Sequence, residues 1–543
     1  MAKLHTNFTG PAKVVPPVDQ DIDRYITAHP DGNFDEVLKG DDRWPVFYHL
    51  SDMRTGLLGW YELPPKAEVL EIGAGFGALT GQLCDMAGHV TVMERSLFRA
   101  RSLAKRWTER ENLDVYAGDL FDMPFRRRFD LITLIGVLPE LCEGREELAP
   151  YASYLRALQE YLKPHGRILL AMDNRLGLKF FCGARDAYSE EPFGGLSGEQ
   201  GEGHIFTAAE IRTILKDAGY PYVRFYYPLP DYRLPQLIFS DAHLPDADVG
   251  EGLIPYDPTS DTRVLSETYL YRYIVTNGLF PQMANSFLVE CALQPRTARG
   301  ADFISLASDR TPAANIATAI KGRETVTKRP LTAAGREGLQ RLAENTAELK
   351  ERGLEVIPLT LAENSATMPF CDSPVLSQWL RERGPGDEAK VRAVFDRLRA
   401  TILQASPPVP DEMNCMAQRS LGADWGVILR RVYINMVPDN IFYDDGRLIF
   451  FNQGITLENC PARYAMFLAL YESAEALTRL GLLDELRAHF DVDALWELFT
   501  LEQQQFVADW RRYDVYHQFY DWAEMDPRRM VKNRQILRII GNE

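Results

Sequence analysis

The residues best placed to do chemistry lie in Glu71-Ile72-Gly73-Ala74-Gly75-Phe76-Gly77, which follows the apolar pair Val69-Leu70 and precedes a helical stretch from Ala78 to Ala87. That order implies a strand, a glycine turn and a helix. Glycines at 73 and 75 permit a sharp turn and let a ligand reach the main chain where a Cβ would intrude. A phosphate-binding dinucleotide turn wants its third glycine three residues after the second, as G-x-G-x-x-G. The pattern here is G-x-G-x-G, with an acid two residues before the first glycine. Taken alone, a structural turn with no ligand is the lesser alternative.

Further along, the apolar run His89-Val90-Thr91-Val92-Met93 ends in Glu94, 23 residues after Glu71. Ligands of an open parallel sheet bind outside the carboxyl ends of its strands. An acid there suits a ribose diol, because one carboxylate accepts from two neighbouring hydroxyls. Leu97, Ala100, Leu103, Ala104 and Trp107 mark an amphipathic helix. A third strand, Leu113 to Tyr116, then leads to Gly118-Asp119-Leu120. A fourth, Phe129 to Ile135, runs into Gly136; its near-continuous apolar character is what a sheet buried on both faces requires. The fifth strand is Arg167 to Met172, the sixth lies near Val223 to Tyr227, and Asn285 to Cys291 reads as a seventh, antiparallel one.

With these signals in this order, residues 44–292 resemble the class I S-adenosylmethionine (SAM) methyltransferases. The resemblance implies an α/β fold, with a Rossmann-like sheet of seven strands, and SAM as cofactor. It places Glu71 near the methionine part of SAM, the turn Gly73, Ala74, Gly75 and Gly77 around the ligand, and Glu94 on the ribose. Asp119 would accept from the adenine amino group while the Leu120 N–H reaches the ring, and Gly136 would close the site at the fourth strand. More narrowly, Asp173-Asn174-Arg175-Leu176-Gly177-Leu178-Lys179-Phe180-Phe181 resembles methyltransferases found among bacterial surface-glycan genes. That implies a glycan or sugar-phosphate acceptor, with Asn174 and Arg175 either holding it or bracing a loop. His204, just before the capping box Thr207 to Glu210, is a candidate general base or a structural histidine. The glycine-rich stretch 190–203 is expected to be a lid. In the segment from Trp44 to Leu63, read as a helix covering the sheet entrance, Tyr48, His49, Asp52 and Arg54 face a ligand or solvent.

The second half has its own signature. Tyr433-Ile434-Asn435-Met436-Val437-Pro438-Asp439-Asn440, a turn at 444–446, and Phe450-Phe451-Asn452-Gln453-Gly454 resemble the catalytic loop and D-F-G segment of kinases. Asn440 matches the metal-binding asparagine, whereas Asn435 and Asn452 stand where two aspartates belong. Lys328 could be the third-strand lysine, partnered by Glu337 or Glu344, but Ser308 to Pro312 stands where a glycine-rich loop should be. An amide cannot accept a hydroxyl proton and gives Mg²⁺ a neutral ligand, so the resemblance is to a kinase-like domain that does not transfer phosphate. The pairing is similar to bifunctional kinase-methyltransferases that cap O-antigen chains; a small α+β packing domain is the plain alternative.

Composition bounds the rest. The 543 residues allow two to four domains; the expected division is an arm over 1–43, a methyltransferase domain over 44–293 with an insertion at 229–284, a linker at 294–300 and a kinase-like domain over 301–543. A net charge of −17 argues against a nucleic-acid partner. No apolar run reaches the ~20 residues a membrane span needs, and residues 1–20 lack the pattern of a secretory leader, so the protein is expected in the cytoplasm. Seven scattered cysteines without a C-x-x-C pair indicate neither a disulfide frame nor zinc, and no metal site is expected. The rival from another class is a non-enzymatic scaffold that binds partners in a glycan-assembly complex. Within the methyltransferase class, a small-molecule or protein acceptor is the alternative.

Overall fold

The computed structural model describes residues 1–6, 14–122, 127–144, 147–197, 203–250, 253, 262–296, 300–307 and 310–510. The chain forms two units, one from Met1 to Asp309 and one from Arg310 to Arg511.

In the first unit the principal elements are β1 (Lys3–Thr6), α1 (Pro17–Ala28), α2 (Asp35–Gly40), α3 (Trp44–Leu50), β2 (Glu68–Ile72), α4 (Thr80–Met86), β3 (His89–Glu94), α5 (Leu97–Arg106) and β4 (Leu113–Ala117). They continue as β5 (Phe129–Ile135), α6 (Leu148–Ala157), β6 (Leu162–Asp173), α7 (Ala208–Ala218), β7 (Tyr222–Leu229), β8 (Leu237–Ser240), β9 (Ser286–Ala292) and β10 (Phe303–Leu306). The strands are ordered β1-β4-β3-β2-β5-β6-β9-β7-β8-β10. Strands β2 to β6 run parallel, and β9 is inserted antiparallel to both β6 and β7. Without its edges this is the seven-stranded methyltransferase-like order, with the antiparallel last strand where it was expected. Val69, Leu70, Val90, Val92, Val115, Ile132 and Leu134 are at most 0% exposed, so the sheet is covered on both faces, which is why its strands read as continuous apolar runs rather than alternating ones.

Three expectations need correction. Residues 1–43 are not a loose arm: β1 pairs parallel to β4, and α1 and α2 bury Ile22, Ile26, Val37 and Leu38 in one cluster with Phe47, Leu50 and Phe76. The Pro, Gly and Asp content of this stretch disguised a helix that starts on Pro17, where a missing N–H costs nothing. Helix α1 is tied to α5 by Arg99 on Asp19 at 2.7 Å and Lys105 on Asp23 at 2.8 Å. Nor do residues 294–300 end the first unit. Strand β10 follows them and pairs with β8 through Ile304 and Ile238, so the described part of that turn-rich stretch is a corner inside the unit. The expected helix over 44–63 is α3 followed by a 3₁₀ stretch, Asp52–Leu57, because Ser51 breaks the α-helix and its hydroxyl accepts from the Met53 N–H at 3.2 Å.

The second unit begins with an antiparallel sheet, β11 (Ile316–Lys321), β12 (Thr325–Pro330), β13 (Thr360–Ala362) and β14 (Ser365–Pro369), in the order β11-β12-β14-β13, with α8 (Gly335–Glu351) between β12 and β13. A mainly helical part follows. It carries two hairpin pairs, β15 (Ile428–Tyr433) with β18 (Thr456–Pro461) and β16 (Ile441–Asp444) with β17 (Arg447–Phe450), over a core that includes Phe395, Phe467 and Phe499. Residues 460–540 read in the sequence as helical, with aromatic residues spaced at Phe506, Trp510, Tyr513, Tyr516 and Tyr520; the last three lie outside the described residues. No helix among the described residues is long and apolar enough to cross a membrane.

Candidate active site

The glycine turn follows β2 with φ of +74° at Gly73, +57° at Gly75 and +75° at Gly77, a region that L side chains avoid. The three glycines serve different ends. A Cβ at Gly73 would lie 2.5 Å from Val137 Cγ2, and one at Gly75 would lie 3.2 Å from His49 Cε1. At Gly77 it would meet Leu103 Cγ at 2.8 Å and Trp107 Nε1 at 2.9 Å, so this glycine serves packing between the turn and the α5 end rather than ligand approach. The Ala74 carbonyl accepts from the Gly77 N–H at 2.9 Å and closes the turn.

Glu94 Oε2 accepts from the Gly75 N–H and Oε1 from the Ser96 N–H, both at 2.8 Å, which fixes the end of β3 to the turn and leaves lone pairs for hydroxyl donors. Burial raises its carboxyl, against those two N–H donors. Glu71 is 5% exposed and accepts from the Thr80 hydroxyl at 2.6 Å. Burial raises it to about 7, opposed by Thr80 and by the charge of Arg54. Half-buried Asp119 sits past β4, where one oxygen accepts from the Phe121 N–H at 3.2 Å; the neighbouring Leu120 is buried. Gly136, at φ +72°, follows β5, and its N–H donates to Ala171 O at 2.8 Å.

Several buried polar groups were not separable in the sequence from solvated ones. Arg54 is 6% exposed, and its Nε has no hydrogen-bond partner; its guanidinium lies 3.8 Å over the Tyr48 ring. His49 lies beside Gly75 with Nδ1 unpartnered, and burial, reinforced by Arg99, Arg54 and Arg106, keeps the imidazole neutral. Helical spacing put Tyr48, His49, Asp52 and Arg54 among the candidates, but only the fold tells that Arg54 is buried and that His49 lies beside Gly75.

Beside the carboxyl end of β6, Asp173 pairs with Lys179 Nζ at 2.7 Å and with both Arg233 terminal nitrogens at 2.9 and 2.5 Å. Asp231 takes the same two cations at 3.0 Å each. Two acids and two bases thus neutralise one another in a buried cluster, and although burial opposes it, Arg233 and Lys179 hold the Asp173 carboxyl far below its ordinary range.

The structure corrects two of the proposed acceptor residues. Asn174 is fully buried; its amide donates to Gln282 O and Ala284 O at 2.7 Å and accepts from the Leu176 N–H at 3.1 Å, so it braces the loop. His204 is 2% exposed, with its ring 4.6 Å from Phe206 and 6.1 Å from Tyr151. It is a core residue, its Nε2 3.7 Å from Glu210 Oε1, and cannot reach an acceptor as a base. Arg175 stays half-buried beside this turn, where its Nε donates to Ile205 O at 3.0 Å. The Thr207–Glu210 capping box is present. Residues 198–202 of the expected lid lie outside the described residues.

In the second unit the expected loop and D-F-G-like segment do meet. Asn435 Nδ2 donates to Asn452 O at 2.7 Å, Asn452 Nδ2 to Asn440 Oδ1 at 3.1 Å, and Gln453 Nε2 to Asn435 O at 2.8 Å. Lys328 does not pair with an acid on α8. Its Nζ donates to the Thr318 hydroxyl at 3.0 Å, directly across the β11–β12 ladder, while Glu337 reaches toward Arg341 and Glu344 accepts from Gln340. The residue of α8 that faces inward is Asn345, whose amide donates to Gln453 O at 2.8 Å. Burial, helped by Arg310, lowers Lys328 to about 8.

The first-unit residues fit SAM. Buried Arg54, whose Nε has no hydrogen-bond partner among the described residues, suits the SAM carboxylate, and two carboxylates at neighbouring strand ends suit its cationic and hydroxyl groups. The ribosomal RNA adenine dimethylase family matches residues 55–139. An uncharacterized methyltransferase of Staphylococcus carnosus is 37% identical over 101 residues, 18% of this chain and 45% of that protein. A probable ribosomal RNA small subunit methyltransferase A of Methanothermobacter thermautotrophicus is 38% identical over 72 residues, 13% of this chain and 26% of its own. This chain thus spans less than half the length of either relative. Among solved structures, that of the glycopeptide N-methyltransferase MtfA with SAM aligns with a TM-score of 0.27 at 16% identity, covering 45% of this chain and 88% of that one.

Proposed function

We propose that the first unit transfers a methyl group from SAM to a glycan acceptor. The observation that carries this reading is the turn at 73–77 held to Glu94, together with a buried Arg54 whose Nε has no hydrogen-bond partner among the described residues. Arg54 would hold the carboxylate of SAM, Glu71 would face its methionine part, Glu94 would accept from the ribose, and Asp119 with the Leu120 N–H would hold the adenine. SAM supplies an electrophilic methyl group on a sulfonium; the protein's part is to bind, orient and exclude water, so catalysis is chiefly positioning. The glycan acceptor is supported by the resemblance of 173–181, and a sugar phosphate is less well served, since Lys179 and Arg233 are already neutralised. RNA is disfavoured by the charge of −17, and the matched stretch 55–139 ends before the residues at the acceptor side.

We further propose that the second unit is kinase-like but transfers no phosphate. Its three asparagines satisfy one another by neutral hydrogen bonds where one carboxylate would have to accept the hydroxyl proton and another to anchor Mg²⁺, and a missing charge within ~4 Å of a metal removes several kcal/mol of anchoring. Titration calorimetry with SAM tests the first proposal: micromolar binding lost in Gly75→Arg is expected, and no binding favours the scaffold reading. Mg²⁺-dependent ATP turnover abolished by Lys328→Ala would overturn the second.

A further inference from the structure

Cys415 and Cys460 stand 45 positions apart in the sequence but side by side in the second unit. The Cys415 N–H donates to the Asn459 carbonyl at 2.9 Å. That carbonyl belongs to the peptide that ends at the Cys460 Cα, so bond lengths keep the two Cα atoms no more than about 7 Å apart. A disulfide cannot close across more than about that separation, and within it the direction of the side chains decides. Here the Cys460 thiol donates to the Cys415 sulfur, so the two sulfurs already face each other. Both segments are fixed. Asn414 Oδ1 accepts from the N–H of buried Met416 at 2.9 Å, and Cys460, 0% exposed, sits in β18 opposite Leu429 of β15.

We propose that Cys415 and Cys460 form a reversible redox site, at which a peroxide oxidises Cys415 and Cys460 then closes a disulfide. Access sets the order. Among the described residues Cys415 alone of the cysteines is exposed, whereas Cys460 lies beneath it in the core. Charge sets it as well, because the thiolate and not the thiol is the nucleophile. The hydrogen bond from Cys460 brings the Cys415 thiol down to about 7, against burial and the charge of Glu502 and with help from Arg419. Burial instead pushes Cys84 up to about 12 and raises Cys291 and Cys460. In the first step the Cys415 thiolate attacks one peroxide oxygen and the O–O bond breaks; the leaving hydroxide takes a proton from solvent, and Cys415 becomes a sulfenic acid. In the second, the Cys460 sulfur attacks the Cys415 sulfur, the S–O bond breaks, and the hydroxide leaves as water with the Cys460 proton. Two thiols are oxidised to one disulfide, and hydrogen peroxide is reduced to two waters. A dithiol reverses the change by exchange. The bond would join the turn around Cys415 to the strand that leads from the asparagine segment into the helix Ala462–Glu472. This site is independent of the methyl-transfer reading.

The full-length protein is treated with equimolar hydrogen peroxide, remaining thiols are blocked with N-ethylmaleimide, and the peptides are mapped by mass spectrometry. The expected product is one peptide pair joined through Cys415 and Cys460, about 2 Da lighter than the two reduced peptides together and parted by dithiothreitol. The oxidised protein should also melt at a higher temperature than the reduced one, since the bond closes a long loop. Cys415→Ser is expected to give no linked pair and to leave Cys460 reduced. In Cys460→Ser, Cys415 should stop at the sulfenic acid, trapped by dimedone, and its alkylation should need a pH about 1 unit higher than in the wild type. Oxidation that falls first on another cysteine, two Cys415 peptides linked to each other, or Cys460 blocked by maleimide after Cys415 has been oxidised overturns the proposal. So does a linked pair involving Cys460 that survives in Cys415→Ser. The wild-type map and the exposed Cys415→Ser change decide the matter even where Cys460→Ser, a change in the core, does not fold.

Discussion

Glu71 ties the cofactor reading to a measurement of pH. Burial holds its carboxyl at about 7 rather than 4.5, with Thr80 and Arg54 pulling it down and Glu94 adding to the rise. A cationic ligand against it favours the ionised form, so binding must expel the proton at lower pH. If SAM is held only by ionised Glu71, its Kd rises about tenfold for each pH unit below about 7, and affinity at about pH 5 is on the order of 100-fold weaker than at about pH 8. The unliganded protein follows the same linkage. Because the folded value exceeds the unfolded one, the stability contributed by protonated Glu71 is complete below about pH 4.5 and is lost as pH rises through about 7, in all about 3 kcal/mol. Glu71→Gln keeps an oxygen for Thr80 but cannot titrate. It is expected to flatten the pH dependence of SAM affinity and to be the more stable protein at about pH 8 by that amount. Glu94, also raised by burial, remains in the variant, so the difference belongs to Glu71. Calorimetry in buffers of different ionisation enthalpy counts the proton released. A wild-type affinity that stays level from about pH 5 to 8, or an equal slope in Glu71→Gln, refutes the placement of Glu71 against the cofactor.

Two further expectations concern the acceptor side. Asp173→Asn leaves Lys179 and Arg233 to share Asp231 alone in a buried setting; the cost is about 3–5 kcal/mol, seen as a lower Tm, and an unchanged Tm would contradict the cluster. His204→Ala removes a packed ring beside Phe206 and should cost about 2 kcal/mol while leaving turnover per folded molecule the same. A large fall in turnover at unchanged stability would restore His204 as the base.

The amino-acid sequence alone determined the order of the central strands, the glycine turn and the acids at 71, 94 and 119. These are local facts: a strand buried on both faces must be apolar throughout, and a turn of positive φ must be glycine wherever it stands. Charge and spacing likewise showed that residues 435 and 452 carry no carboxylate. What only the tertiary structure decided is which polar groups are spent and which are left over. Asn174 and His204 looked as available in the sequence as Arg54 and His49. The first is consumed by Gln282 and Ala284, more than 100 positions away, and the second is enclosed by Tyr151 and Phe206. Arg54 and His49 each keep a nitrogen, Nε and Nδ1, that has no hydrogen-bond partner among the described residues. Lys328 shows the same limit: spacing supplied two acids on α8 as partners, but the rotation of the helix turns both away and leaves the lysine to the threonine across its ladder. A hydrogen bond depends on ångström distances between segments remote in the chain, and such distances exist only once the chain has folded.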